Sequence, residues 1–520
     1  VTITFTEEPD NLNPMYTSMS FSGYLRPFYL VPAWTFDENA EPVPVLATEI
    51  PSAKNGGLSA DGKTVTIKLR DDVTWSDGEK LTADDFVFTY NMIMSDKNTP
   101  LGRYPYDKYV SSVVAKDPTT VVVSFSEPFA AWLTSLFYYV LPKHILQPVF
   151  DKDGTLDKAD WNRNPTVSLG PFTFDEWIAA DHISFKANPS WIIPPKIEQV
   201  FVRIVPDDAA QEAAIIAGDT DFGAFLSSDQ IQKLEAGGTV KVATVASGYN
   251  EAWFLNVNPK TAHPAMLDVN VRKAIALATD RFTIVKNLLV ESINPVNVTF
   301  WDTTLPYDNI GKLQPYPYDP EQAKQLLDAA GWKVGSDGIR EKVIDGKTVK
   351  LKLRYATTTR ELRKNVQAVV AQQWKLVGID ADLTNYSSDV FWNGFNDGGP
   401  MALGDYDIAE YSSVGNSFPD PDTNVFMCDQ IASAEKPDGS NDQGYCNPKL
   451  DELFKQEATT LDPTARLDIF KQIQQIMYDD VIYVGMWKDP DLWSVNNRVQ
   501  NVKFSGVYPF WNVTDWVVSQ

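Results

Sequence analysis

Between residues 64 and 93 the spacing of apolar side chains changes period, and that change limits the fold more than any other feature. Thr64–Leu69 reads TVTIKL, with every second residue apolar, the spacing of a strand with one buried face. Asp61-Gly62 before it and Asp77-Gly78 after it are turn pairs. Thr82 then opens a helix, with Asp85 three residues on in a box-like cap. Phe86, Val87, Tyr90 and Ile93 supply its apolar stripe. A chain that alternates these two periods without a fixed repeat is α/β.

The same alternation runs along the chain. Val1–Phe5, Thr120–Phe125, Val200–Val205, Trp253–Val257 and Leu351–Tyr355 have strand character. Asp207–Ala217 is a short helix ending at Gly218, and residues 269–289 suggest one long amphipathic helix. In Asp319-Pro320 and Asp462-Pro463 an Asp N-cap precedes a Pro at the first helical position, where its missing N–H costs nothing. The stripes that follow are Ala323, Leu326, Leu327, Ala330 and Leu467, Phe470, Ile473, Met477. Another helix carries Val366, Val369, Val370 and Trp374 and stops at Gly378. After Asp479 the sequence is strand-like again, so both ends are expected in one lobe with others inserted between. A length of 520 residues suits about three domains.

The net charge of −24 argues against nucleic acid, which needs clustered Lys and Arg, and against an anionic membrane surface. No apolar run approaches the ~18 residues that span a bilayer. The sequence starts at Val1 in strand-like residues, which fits either a cytosolic protein or one whose leader is absent from this sequence. Cys428 and Cys446 lie in a polar segment. A disulfide between them suits an oxidising compartment, and two free thiols are the alternative.

Few residues carry chemistry. His144, His182 and His263 are scattered, with no metal-ligand spacing. DKDGTLD (151–157) puts Leu156 and Asn162 where a calcium loop needs Gly and Glu. SAEK (433–436) lacks the companion motifs of penicillin-recognising enzymes. No cofactor, metal or catalytic residue is expected. A hydrolase with an unrecognised carboxylate pair is the rival from another class.

Several blocks occur in an order that resembles the family 5 solute-binding proteins of bacterial ABC importers. They include EEPDNLNP (7–14), LSADGKTVTIKLRDDVTWSDGEKLTADDFVFTYNMI (58–93), GPFTFDEW (170–177), FKANPSW (185–191) and DVNVRKAIALATDR (268–281). YDPEQAKQLLDAAGW (318–332) and YCNPKLDELFKQEA (445–458) follow. The resemblance implies a periplasmic-binding-protein-like type II fold in its large, three-lobed form (cluster C), with mixed β-sheets. Lobe I would be 1–45 with 169–255 and 483–520, lobe II 46–168, and lobe III 256–482. It implies capture of an (oligo)peptide in an interlobe cleft by hinge closure, or of an oligosaccharide as the alternative. It also implies a membrane permease as partner, a monomer, and a periplasmic or extracellular location, lipid-anchored if a leader provides the anchor.

By the same resemblance Ser18, Met19 and Ser20 would offer backbone hydrogen bonds to ligand. Trp253 and Phe254 lead a strand at the lobe boundary, and Trp487 would stack on ligand. Tyr411, Ser413, Gly415, Asn416, Ser417 and Phe418 belong to a loop that would reach the cleft. Many peptide-binding members carry an Asp that pairs with the peptide amine where this chain has Ser417. A buried ammonium without a partner is costly. Asp420 and Asp422 are the nearby substitutes, and the departure raises neutral ligands.

Overall fold

The computed structural model describes residues 1–17, 19–224, 226–302, 307–413, 420–421, 423–437 and 439–519. The chain packs as two units, one of residues 1–247 with 491–520 and one of residues 248–490.

In the first unit Thr2–Phe5 runs through a seven-stranded sheet, parallel to Gln199–Ile204 on one side and to Phe222–Gly223 on the other. His182–Ala187 and Phe172–Ile178 extend one edge, and Asp491–Asn496 and Val240–Val245 the other. Strands paired in parallel are usually covered on both faces, and Ile3, Thr4 and Phe5 are all buried. Segments from both ends of the chain therefore share this sheet.

A separate three-stranded sheet joins Thr64–Lys68, Thr120–Phe125 and Val110–Asp117. Val65 and Ile67 turn inward with Val121 and Val123, as the period of two requires. Helix Ala83–Met94 starts at the expected box, where the Thr82 N–H donates to Asp85 Oδ2 at 2.9 Å. Its buried face differs from the expected stripe. Phe86 and Ile93 are buried, whereas Val87 and Tyr90 are half-buried and Thr89 and Met92 turn inward. Thr89 can do so because its hydroxyl donates to Asp85 O and accepts from Leu141 N–H, each at 2.8 Å.

The second unit is built on a five-stranded sheet in the order Asp380–Tyr386, Lys352–Thr358, Ile408–Ser413, Asn250–Leu255, Tyr483–Lys488. Each face carries its own apolar cluster. Trp253 and Leu255 point to one side with Val366, Val370 and Trp374 of helix Glu361–Lys375. Phe254 points to the other with Phe470, Ile473 and Met477 of helix Pro463–Asp480. Helices on both faces of a sheet are the α/β solution to burying both sides. Asp319 and Asp462 cap their helices as expected, accepting from Gln322 N–H and Ala465 N–H at 2.8 Å.

Two expectations change here. The strand expected at Trp253–Val257 lies at Asn250–Leu255, because all six residues are buried and no alternation marks its ends. Asn256 leaves the sheet, its side-chain amide donating to Gly404 O and Tyr406 O. The long helix over 269–289 is two helices, Val269–Leu277 and Arg281–Leu288. Asp280 caps the second by accepting from Thr283 N–H at 3.0 Å. The break lets Arg281 turn inward, where its guanidinium donates to the Gly485 and Tyr316 carbonyls.

Candidate functional site

Of the residues expected at the ligand, Trp253, Phe254, Tyr411, Ser413 and Trp487 lie on three neighbouring strands of the second unit's sheet. Asn250 pairs with Ser413 on one side and with Lys488 on the other, so the three strands end or begin together. Gly415, Asn416, Ser417 and Phe418 follow Ser413 and lie outside the described residues, as do Ser18 and Asp422.

The aromatic residues at this end are mostly interior. Trp253 is fully enclosed, its indole N–H donating to the Tyr355 hydroxyl at 2.9 Å and to Glu410 Oε2 at 3.1 Å. Trp374 packs edge-on against it at 5.4 Å. Trp487 is also fully buried in that cluster, and its indole N–H has no acceptor among the described residues. The expectations that Trp253 contacts ligand and that Trp487 stacks on it are corrected by their packing. Their faces meet the second unit's own core.

Phe254 and Tyr411 stack on each other at 4.1 Å with planes 7° apart. Tyr411 is reached edge-on by Trp392 at 4.8 Å. Trp392 is 48% exposed, which makes it the open aromatic of this group, and no sequence signal singled it out. Ser413 is half-buried.

Beside the tryptophans lies a row of buried charge. Arg363 grips Glu251 with two parallel bonds of 2.7 and 2.8 Å, and its remaining nitrogen donates to Thr358 Oγ1 at 2.8 Å. Both partners are buried, so neither is tolerable without the other. Glu410 pairs with no cation among the described residues. It accepts from the Tyr355 hydroxyl and the Trp253 indole, and burial, reinforced by the Glu251 charge, pushes its carboxyl well above the usual range.

A second cluster fixes the chain just past residues 414–419. Arg466 donates to both oxygens of Asp420 at 2.6 and 2.7 Å, to Glu457 Oε2 at 2.7 and 3.0 Å, and to the Tyr307 hydroxyl at 3.0 Å. Asp420 was the nearby substitute for the amine-binding carboxylate. Its charge is already neutralised, and both its oxygens are engaged. The sequence signal that finds Arg466 is its register: it stands four residues before Phe470, on the buried stripe of its helix. Cys428 and Cys446 form a disulfide with S–S 2.11 Å in the following segment.

In the first unit the expected extended wall after Pro14 is short. Met19 has extended backbone and Ser20 begins helix Ser20–Tyr29. The Met19 N–H donates to Thr17 Oγ1 at 3.1 Å and its carbonyl accepts from Gly23 N–H at 3.0 Å. Both backbone groups of Met19 are thus used where the helix begins.

Of the other candidates, Asp157 accepts from Thr99 N–H, Thr99 Oγ1 and the Tyr16 hydroxyl. The described residues hold no group of three or more His, Cys, Asp or Glu that could bind a metal ion. None of the described helices is long and apolar enough to cross a membrane.

The architecture is that of the type II periplasmic binding proteins, in their large α/β form with mixed sheets. It superposes on AppA from Bacillus subtilis, solved with a nonapeptide, at TM-score 0.82 and 24% identity over 100% of this chain and 99% of that one. NikZ from Campylobacter jejuni, solved with Ni(L-His), gives TM-score 0.83 and 23% identity over 99% of both chains. Residues 41–432 match the bacterial extracellular solute-binding proteins, family 5 Middle, and the chain belongs to that family. Relatives in sequence include protein XP55 of Streptomyces lividans, 28% identical over 96% of this chain and 85% of its own length. The oligopeptide-binding protein AppA of Bacillus subtilis is 26% identical over 89% of this chain and 81% of its own.

Proposed function

We propose that this chain is the extracellular binding component of an ABC importer and that its ligands are peptides. The observation that carries the reading is the family match over residues 41–432, joined by relatives named for oligopeptide and dipeptide binding. The work is capture and hand-over to a membrane permease, with no bond made or broken. The protein acts as a monomer, and its three lobes are 1–45 with 169–255 and 483–520, then 46–168, then 256–482. Ser413 and Trp392 are the described residues of the second unit that we assign to ligand contact, since Trp253, Phe254 and Trp487 pack inward.

A second reading, an oligosaccharide, is favoured by one observation. Asp420 is neutralised by Arg466, so it offers a peptide amine no open charge. Native mass spectrometry of freshly purified protein separates the two. A retained mixture of peptide masses supports the first reading, and a ladder of hexose spacings replaces it with the second. Turnover of peptide or glycan substrates would refute the binding role altogether.

A further inference from the structure

Arg26 stands two turns into helix Ser20–Tyr29 of the first unit. Its guanidinium lies over the Tyr138 ring at 4.9 Å and over the Tyr508 ring at 5.1 Å. Tyr508 is buried, and Arg26 and Tyr138 are half-buried. An arginine carries five N–H donors. None of those on Arg26 meets an acceptor among the described residues, and its Nε is sealed from solvent.

This is unlike the other enclosed arginines. Arg363 and Arg466 hold carboxylates, and Arg272 and Arg281 donate to backbone carbonyls. It is also unlike what composition predicts. Asp and Glu outnumber Lys and Arg by 69 to 45, so an acidic neighbour is the commonest surface partner available to any cation. Two tyrosine faces stabilise the cation without neutralising it. The paired N–H groups of a guanidinium match the two oxygens of a carboxylate.

We propose that Arg26, clamped by Tyr138 and Tyr508, is a binding site for a carboxylate of the ligand. The proposal rests on the peptide reading, and a peptide offers two sources, its C-terminus and an acidic side chain.

The test uses three synthetic pentapeptide pools and the full-length protein, with affinity read by calorimetry. The first pool is built from Ala, Gly, Ser and Leu with free C-termini. The second has the same composition with amidated C-termini. The third is amidated and carries one Glu. The wild type is expected to bind the first pool about ten- to a hundred-fold more tightly than the second, the range of one charge-assisted bidentate contact. That is the result if the C-terminus is the source, with the third pool behaving like the second; if an acidic side chain is the source, the third pool alone gains this preference and the first behaves like the second. In Arg26→Gln every carboxylate-bearing pool falls to the level of the second. Arg26→Lys, which keeps the cation and most of the packing, retains part of the preference and covers the case in which Arg26→Gln fails to fold. Equal binding of all three pools by the wild type overturns the proposal and leaves the peptide reading standing. A preference that survives in Arg26→Gln does the same. Binding of none of the pools overturns the peptide reading, and the proposal with it.

Discussion

Arg466→Met removes one cation from between two carboxylates, and its cost follows from the burial of all three. The Arg466 side chain is 8% exposed, with Asp420 at 12% and Glu457 at 3%. Taking away one partner of such a pair leaves uncompensated charge in a poorly solvated site, which costs about 3–5 kcal/mol. Methionine keeps much of the stem volume against Phe470, so most of the loss is electrostatic. Glu457 has an outlet. Desolvation already pushes its carboxyl up to about 7, and without Arg466 it takes a proton more readily still. The loss should therefore be larger at pH 8 than at pH 5. The assay is urea unfolding followed by tryptophan fluorescence, read on the transition of the second unit, because two units need not unfold together. A double-mutant cycle of Asp420→Asn with Arg466→Met should return a coupling of about 0.5–3 kcal/mol. A loss below about 1 kcal/mol at pH 8, or a coupling of zero, would refute the latch between Asp420 and helix Pro463–Asp480.

Four other perturbations test the rest of the second unit. Desolvation pushes the Asp442 carboxyl up to about 7 in the folded state, well above its unfolded value. Its stabilising contribution is thus full at low pH and is lost as pH rises toward 7, and Asp442→Asn should flatten the stability profile between pH 4 and 7. Reducing Cys428–Cys446 reopens a loop with a sequence separation of 18, at a cost of about 3 kcal/mol on the chain-entropy model; a thermal midpoint indifferent to reductant would contradict this. Burial favours the uncharged form of Glu410, so Glu410→Gln should cost less than Arg363→Met, which strands Glu251 and should cost about 3–5 kcal/mol in the same denaturation assay.

What the sequence revealed was local. The Thr82–Asp85 box and the Asp319-Pro320 and Asp462-Pro463 starts involve residues within one turn of each other, so their geometry follows from their spacing. The break at Asp280 was hidden because the apolar pattern continues across it. What settles it is Arg281 reaching carbonyls at Tyr316 and Gly485. Trp253 reads as a binding aromatic until Tyr355 and Glu410, which are remote in sequence, close around its indole. The Arg466 cluster joins residues from four separate segments, and only the charge on an otherwise apolar helix face points to it.

The polarity of the ligand can be argued from how the two kinds of charge are treated. Buried guanidiniums in the second unit find acceptors within the fold: Arg363 in Glu251, Arg466 in Asp420 and Glu457, Arg272 and Arg281 in carbonyls, although Arg281 Nε is left without one among the described residues. Asp420, the described carboxylate nearest to residues 414–419, is neutralised in the same way. A ligand ammonium therefore finds no ready counter-charge in Asp420, although the molecule as a whole is strongly acidic. In the first unit the reverse holds, since the side-chain donors of Arg26 meet no acceptor among the described residues. Long-range attraction from a net charge of −24 would favour cationic ligands, but at physiological salt it fades beyond about 8 Å. Close contacts then decide, and a partly buried guanidinium is screened far less than surface charge. A peptide recognised chiefly through its carboxylate, with its amine left toward solvent, satisfies both Ser417 in place of an acid and an arginine with no internal partner.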